Sequence, residues 1–314
     1  MSPLSTDPDP RPRVGVVTLA RGRHAHLEAQ HRSLAAGSRL PDSYVVVAMD
    51  DPAITAERQD GLERRVVRCP VADPANLPLS RARNVGVAAL RAQDVDVVVL
   101  LDVDCLAGAD LVASYAAAVA EHEDVVWSGP VTYLDPPPPG GYDLGDLTVL
   151  ESWDRPHPAR PAPAPGTRLL PSVPGGPPGR PELFWSLSFA MTPAVWGALG
   201  GFDESYVGYG GEDTDFALRA TAAGVRLGWD GGARAYHQHH PVSAPPVEHL
   251  DAIVRNGARF ARRWGTWPMQ GWLEEFEARG LVRREGDGWV RAPAPDGPVR
   301  RRTRHTPETS GAPD

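Results

Sequence analysis

The chain has 314 residues, enough to bury a large core in one big domain or two small ones. Its 32 basic and 40 acidic residues give a formal net charge of −8. Because no basic stripe runs through the part expected to be globular, the sequence disfavours a nucleic-acid partner. The two cysteines, Cys69 and Cys105, indicate neither a disulfide framework nor a cysteine zinc site, and we expect a reducing, cytoplasmic environment.

Strands and helices alternate in the first half of the chain. In chain order, the apolar patterns predict a strand at 14–19, a helix at 24–36, strands at 44–49 and 64–68, a helix at 79–91, a strand at 95–101, a helix at 111–121 and a strand at 125–133. This order is typical of an α/β fold with a mostly parallel central sheet flanked by helices.

Proline density separates the second half of the chain from the first. We predict that residues 135–182 form a proline-rich insertion, with a helical turn at 147–153. The later patterns predict a strand at 183–191, helices at 193–199 and 213–223, a strand at 225–229, and helices at 247–264 and 267–281. The expected organisation is one domain over 13–290, whose residues 241–290 form a C-terminal helical extension, with disordered tails at 1–12 and 291–314.

Two carboxylates follow the apolar run of residues 97–101. Residues two apart on a strand point to the same face, so we expect Asp102 and Asp104 to project together from the strand end. Ligands of open α/β sheets bind beyond the carboxyl ends of the strands, and oxygen ligands suit Mg²⁺ or Mn²⁺. The alternative is a solvated turn in which Asp104 or Asp110 caps the next helix.

A second acidic cluster lies in the glycine-rich segment 200–216. Glycine lets the backbone turn tightly and approach a ligand closely. Glu212 and Asp213 fall at a predicted helix N-terminus, where the helix dipole favours negative charge. The alternative is that Asp213 only caps the helix and Glu212 is an ordinary first-turn acid.

Together the two clusters resemble the family-2 glycosyltransferases of the GT-A fold, in particular the branch with a galactosyltransferase-like C-terminal half. The resemblance extends over about residues 14–240, with several motifs in the family's order. The matching residues are the strand 14–19, Asp50, the Ala-Arg-Asn helix at 81–84, Asp102 and Asp104, the Gly-Gly-Phe-Asp-Glu segment 200–204, and the Gly-Glu-Asp-Thr-Asp loop 211–215. The insertion and the residues after His240 lie outside the pattern.

The resemblance implies a GT-A nucleotide-diphospho-sugar transferase that uses Mn²⁺ or Mg²⁺. It assigns Asp104 to direct metal contact and Asp102 to the metal or the donor's ribose or sugar. Asp50 would contact the nucleobase. Arg83 would bind the donor or its phosphates, or would instead form an ion pair with one of the aspartates. The remaining residues assigned to the donor are Thr18 and Asn84.

The same resemblance implies inverting transfer to an acceptor hydroxyl. Asp213 would be the general base, with Glu212 beside it. Imidazole is a reasonable extra ligand for Mn²⁺, and His237 is the candidate, with His239 as the alternative. The residues assigned to the acceptor are Trp185, Tyr209 and Gly211. Core packing is the alternative interpretation of the two aromatic residues, as it is for Trp229.

Two departures from the family pattern leave the substrates open. The loop at 18–23 differs from the family's usual loop, which leaves nucleobase recognition open, and Trp185-Ser186-Leu187 replaces a usual Gly-Gly-Asn, which leaves the acceptor open. The acceptor is expected to be a carbohydrate, a lipid-linked molecule or a small molecule. No signal peptide or membrane-spanning stretch is predicted, and a peripheral transferase can reach a lipid-linked acceptor from the cytoplasm.

Three other functions compete with this interpretation. A sugar-nucleotide pyrophosphorylase would need a glycine-rich basic loop after the first strand, and residues 20–23 are a poor version of one. A haloacid-type phosphatase carries its Asp-x-Asp in the first strand, followed by Thr, whereas here the motif is mid-chain and Cys105 follows it. A non-catalytic carbohydrate- or nucleotide-sugar-binding protein would need neither a metal pair nor a base.

Overall fold

The computed structural model describes residues 11–241 and 243–293. The strands are β1 (Val14–Ala20), β2 (Ser43–Met49), β3 (Glu57–Gln59), β4 (Leu62–Cys69), β5 (Val97–Leu101), β6 (Cys105–Ala107), β7 (Val125–Ser128), β8 (Val131–Tyr133), β9 (Arg168–Leu169), β10 (Ser188–Met191), β11 (Arg226–Asp230), β12 (Ala235–His237), β13 (Val282–Glu285) and β14 (Gly288–Arg291). The helices are α1 (His24–Ala35), α2 (Leu79–Arg91), α3 (Leu111–Glu121), α4 (Thr148–Ser152), α5 (Pro193–Leu199), α6 (Glu212–Ala222), α7 (Leu250–Trp264) and α8 (Gln270–Ala278). Short 3₁₀ turns cover Pro181–Leu183 and Val247–His249.

Nine of the described strands form the central sheet, in the order β3-β4-β2-β1-β5-β10-β7-β11-β9. The pairs β4–β2, β2–β1, β1–β5 and β7–β11 are parallel, while β10 runs antiparallel to both of its neighbours, β5 and β7. The predicted α/β class with a mostly parallel sheet is confirmed. The antiparallel strand at its centre was not predicted.

Helices cover both faces of this sheet because the side chains of its strands alternate. Along β1, Val14 and Val16 pack in one core with α1 and α3, whereas Val17 and Leu19 pack in the other with α2, α5 and α6. Both sets are buried, which explains why the strands read as continuous apolar runs.

A smaller sheet of three strands, β6-β12-β8, lies beside the end of β5. Its register aligns Cys105 of β6 with His237 of β12, and His237 with Tyr133 of β8. The residue just before β6, Asp104, is therefore brought next to the C-terminal end of β12. This small sheet positions Asp104 and His237, two residues of the site described below.

Several sequence-based boundaries need correction. The prediction of one strand over 125–133 is wrong, because the chain breaks at Gly129-Pro130 into β7 and β8, which belong to different sheets. The strand predicted over 183–191 is limited to β10. The extension 241–290 is not only helical, because β13 and β14 form a hairpin that packs on α7 and α8 through Phe276, Val282 and Trp289.

The described residues cover only part of the predicted tails, and they allow the predicted absence of a membrane segment to be checked for the described helices. Residues 1–10 and 294–314 lie outside the described residues, and Arg291, predicted in the tail, ends β14. Among the described helices, none combines the length and the apolar character that crossing a bilayer requires.

Candidate active site

Asp104, His237 and His240 form a cluster that could hold a metal ion. The Asp104 carboxylate lies 3.5 Å from His237 Nε2 and 3.3 Å from His240 Nε2, and one potential ligand atom from each of the three residues lies within 4.8 Å of the others. A carboxylate with two imidazoles suits Mn²⁺ or another borderline divalent ion better than Mg²⁺, which prefers oxygen ligands. These side chains therefore fit the divalent ion that the fold family implies.

The second histidine of this cluster is His240, whereas the sequence-based alternative for a metal ligand was His239. His239 is fixed by its backbone, whose N–H donates to the Tyr142 hydroxyl at 3.0 Å. Burial opposes ionisation of Asp104, but the hydrogen bond with His240 and the nearby positive charges outweigh it and lower the pKa of Asp104. Desolvation lowers the pKa of His237, which favours the neutral imidazole that a metal requires.

Asp102 lies outside this cluster. Its carboxylate faces Arg83 at 3.7 Å, and the same guanidinium lies 3.3 Å from Glu212. Arg83 is buried and also stacks over the Phe202 ring at 4.8 Å. The ion-pair alternative for Arg83 is thus the arrangement present, and Arg83 links the end of β5 to the start of α6.

Burial dominates the electrostatics of these acids. The Asp102 side chain is 30% exposed, but protein atoms crowd its other sides, and this desolvation raises its pKa to about 7 despite the opposing charge of Arg83. Desolvation also raises the pKa of Asp213, and the neighbouring charge of Glu212 adds to this. One more negative charge in the group is therefore costly, so a cation or a proton is favoured there.

Three acids occupy the first turn of α6, and each has a different environment. Glu212 accepts the Gly210 N–H at 3.1 Å in addition to facing Arg83. Asp215 is fully buried and paired with Arg219 and Arg263, which gives it a structural role. Asp213 is half-buried and bonded through Oδ1 to the N–H and hydroxyl of Thr214.

The loop before α6 needs glycine for both conformation and space. Gly208 has φ 77°, and a Cβ there would lie 2.9 Å from the Cβ of Ala252 on α7. Gly211 is the N-cap of α6 at φ 87° and is buried, so it has a conformational role, while its predicted acceptor contact stays a prediction. The buried Asn256 of α7 donates its amide to the carbonyls of Val207 and Tyr209, both at 3.2 Å. The C-terminal extension thus supports the loop that leads into α6, the helix that carries Asp213.

The residue predicted to contact the nucleobase, Asp50, directly follows β2. Asp50 is exposed, with φ 46°, and its carboxylate accepts the Val71 N–H at 2.8 Å. The next residue, Asp51, accepts the Gly22 N–H at 2.7 Å and lies 2.9 Å from His24 Nε2. Asp51, which the sequence did not single out, therefore fixes the loop after β1.

Two residues assigned to the donor have structural roles. The prediction for Thr18 is wrong, because it is completely buried, and its hydroxyl lies 2.8 Å from Gln30 and 2.9 Å from the Leu101 carbonyl. Asn84 is reassigned, because its amide donates to the Phe202 carbonyl and to Glu204 and accepts the Phe202 N–H. It fixes the 200–204 segment to α2.

Replacing Asn84 with alanine should therefore destabilise the protein by about 1–3 kcal/mol, since two part-buried hydrogen bonds to Phe202 are lost at a net value of about 0.5–1.5 kcal/mol each. The third hydrogen bond, to Glu204, is exposed and should add little. Urea unfolding measures this. Arg81→Ala, an exposed change on the same helix, is the matched control and should stay within about 0.5 kcal/mol of wild type. Equal stability of the two variants would contradict the structural role of Asn84.

The aromatic candidates are divided between surface and core. Tyr209 is 38% exposed and stacks on His249, with ring centroids 4.8 Å apart. Trp185 is half-buried, and Trp229 is buried with its Nε1 donating to the Pro178 carbonyl. The core interpretation therefore holds for Trp229 only.

Solved structures with the same architecture identify the fold. TarS of S. aureus, residues 1–349, superposes with a TM-score of 0.52 at 13% identity, over 79% of this chain and 65% of that one. The same protein solved with UDP-GlcNAc also gives 0.52, at 12% identity. The fold is that of the GT-A glycosyltransferases.

Sequence relatives agree with this class. A family model described as the N-terminal domain of galactosyltransferase matches residues 177–243. Chondroitin synthase of Pasteurella multocida is 27% identical over 185 residues, which are 52% of this chain and 18% of that protein. Validoxylamine A glucosyltransferase of Streptomyces hygroscopicus subsp. jinggangensis is 31% identical over 85 residues, 26% of this chain and 18% of that one. The chain thus spans less than a fifth of the length of these relatives.

These likenesses confirm the predicted resemblance to GT-A glycosyltransferases of the family-2 type.

Proposed function

We propose that the protein is an inverting, metal-dependent glycosyltransferase that moves a sugar from a nucleotide-diphospho-sugar to an acceptor hydroxyl. The observation that carries the proposal is the contact chain that joins the metal-type cluster at Asp104 to Asp213, a carboxylate suited to act as base. Asp102, two residues before Asp104, faces Arg83 at 3.7 Å, and Arg83 lies 3.3 Å from Glu212, the residue before Asp213.

Asp104, His237 and His240 would hold the ion, which would be Mn²⁺ rather than Mg²⁺ on ligand preference. The ion would supply charge neutralisation and orientation for the donor's diphosphate. Arg23 is exposed and lies 3.4 Å from His240, so its guanidinium is available for a phosphate oxygen at the same place. Asp50, at the end of β2, is the proposed contact for the nucleobase.

Asp213 is the proposed base by comparison with its neighbours. Glu212 is already engaged by Arg83 and the Gly210 N–H, and Asp215 by two arginines. In the reaction, the acceptor oxygen forms a bond to the anomeric carbon while the bond from that carbon to the diphosphate breaks. Asp213 takes the hydroxyl proton, and attack opposite the leaving group inverts the anomeric centre.

The pH profile should reflect the environment of Asp213. Because burial and Glu212 raise the pKa of Asp213, it stays protonated to a higher pH than an ordinary carboxyl group. A base must be unprotonated, so kcat should rise with pH, and its acidic limb should lie well above pH 4. Steady-state kinetics in saturating donor and Mn²⁺ between pH 5 and 9 would measure it. A kcat that stays constant down to pH 5 would argue against Asp213.

The proposal itself is tested with UDP-, GDP- and dTDP-sugars and the purified protein. UDP-GlcNAc is the first donor to try, because TarS was solved with it. We expect Mn²⁺-dependent binding by calorimetry and slow hydrolysis of one donor, followed by ³¹P NMR. Binding without turnover, with every acceptor tried, would favour a non-catalytic nucleotide-sugar-binding protein, and binding of no donor would exclude both.

A further inference from the structure

An aromatic surface lies beside the metal-type cluster, and the proline-rich insertion contributes one of its three side chains. Tyr133, at the end of β8, stacks on His237 with ring centroids 4.6 Å apart, yet 47% of Tyr133 is exposed. His157 of the insertion packs edge-on against Tyr133 at 5.6 Å and against Trp185 at 4.9 Å. Tyr133, His157 and Trp185 are called the aromatic wall below.

Backbone hydrogen bonds fix the insertion side of the aromatic wall. The His157 N–H donates to the Val131 carbonyl at 3.0 Å, and the Arg155 N–H donates to the Thr132 hydroxyl at 3.0 Å. Thr132 in turn donates to Asp154 at 2.9 Å. The turn that carries His157 is thus attached to β8, the same strand that carries Tyr133.

A buried arginine fixes the other end of the wall. The guanidinium of Arg160 lies 5.2 Å from the Trp185 ring centroid and 4.9 Å from that of Trp229, and only 5% of the residue is exposed. It also donates to the Trp185 carbonyl at 3.5 Å. A desolvated cation between two indoles is favourable and restrains the Trp185 ring. Because the charge is buried, Arg160 positions the wall and does not present a surface charge to a ligand.

The aromatic wall is connected to the acids of the site through Trp185. The Leu187 carbonyl, two residues after Trp185, accepts the Asp102 N–H at 2.9 Å. Asp102 faces Arg83 at 3.7 Å, and Arg83 lies 3.3 Å from Glu212, the residue before Asp213. The wall therefore contacts the metal-type cluster through His237 and is linked to the Asp213 region through Asp102 and Arg83.

We propose that the aromatic wall binds a neutral pyranose ring of the acceptor by stacking. The proposal rests on the function proposed above. A pyranose presents a face of C–H groups that packs on aromatic rings, while its hydroxyls can bond to the Tyr133 hydroxyl and the His157 imidazole. The exposed groups of the aromatic wall carry no guanidinium or carboxylate, which favours a neutral sugar over a phosphate or a uronic acid.

Direct binding tests this without requiring turnover. The probes are the methyl β-glycosides of glucose, galactose and N-acetylglucosamine, measured by saturation-transfer NMR with UDP and Mn²⁺ present. We expect at least one glycoside to receive saturation on its ring protons from wild type, Tyr133→Phe and Val173→Ala. Val173 is 60% exposed in the same insertion and is the matched control. The substitutions Tyr133→Ala and His157→Ala should each weaken the binding of that glycoside at least fivefold.

Three outcomes would overturn the proposal. One is that no neutral glycoside binds wild type at millimolar concentration, and another is that both alanine variants bind as well as wild type. The third is that His157→Ala weakens UDP-sugar binding in calorimetry and leaves glycoside binding intact. Because His157 does not contact a residue of the metal-type cluster, this result would show that the wall binds the donor. If glycoside binding depends on the aromatic wall but no donor is turned over, the proposed role of the wall is supported and only the transferase function is contradicted.

Discussion

Asp104→Ala should reduce Mn²⁺ affinity by about 100-fold or more, and with it donor hydrolysis. The carboxylate is the sole anionic member of the Asp104-His237-His240 group. Removing even a residue that only contacts a metal ligand typically lowers metal affinity by about 10–100-fold. Isothermal calorimetry with Mn²⁺, followed by hydrolysis of the preferred nucleotide-sugar, measures both effects. Circular dichroism should show an unchanged fold, since the Asp104 carbonyl still accepts the Gln238 N–H at 2.6 Å when the side chain is removed.

The neighbouring histidines supply a matched pair for the same experiment. His240→Ala should weaken Mn²⁺ binding, whereas His239→Ala should not, although the two residues are adjacent in sequence. Asp110→Ala, an exposed acid that accepts a hydrogen bond from Ser38, controls for a general loss of negative charge. Wild-type Mn²⁺ affinity in Asp104→Ala, or an effect confined to His239→Ala, would show that the cluster is not the metal site.

Asp213→Asn should lower kcat for sugar transfer by about 10²–10⁴-fold, because the amide cannot accept the acceptor's proton. Nucleotide-sugar affinity should change little, and the thermal midpoint should stay near that of wild type, since Asn can still accept the Thr214 N–H. Steady-state kinetics and calorimetry on the same preparation separate kcat from binding.

Glu212→Gln is the comparison for this variant. It removes the charge that faces Arg83 at 3.3 Å but leaves an amide oxygen for the Gly210 N–H. Its main effect should be on stability and on KM, because a buried guanidinium loses one of its two partners. If Glu212→Gln abolished kcat while Asp213→Asn retained it, the assignment of the base would move to Glu212.

Elements with a strong local pattern were predictable from the sequence. Helices α2, α3 and α5 begin and end at the predicted residues, because each lies between turn residues and carries a clear apolar stripe. The strand split at Gly129-Pro130 was missed, since an apolar run alone does not show where a chain changes sheets. The small sheet β6-β12-β8 depends on residues over 100 positions apart, which no local pattern reveals.

The paired aspartates show a similar limit within the site. The expectation that Asp102 and Asp104 act together assumed that the strand continues past Leu101. Instead, the Cys105 N–H donates to the Asp102 carbonyl at 2.9 Å, so the chain turns and the two side chains meet different partners. Thr18 was misassigned for a related reason, because its partner carbonyl, at Leu101, is 83 residues away. The motifs located the site, but long-range contacts decided each residue's role.

The position of β10 has a consequence for how the chain is made. Strands β5 and β7 precede it in sequence, yet in the sheet they are not neighbours, because β10 lies between them. It begins 60 residues after β7 ends (188 minus 128). During synthesis, the edges of β5 and β7 that later pair with β10 therefore have no partner until the whole insertion has emerged from the ribosome. Open edges of this kind are templates for pairing with other chains, so a nascent chain halted before residue 188 should be much more prone to aggregation than one released after residue 191.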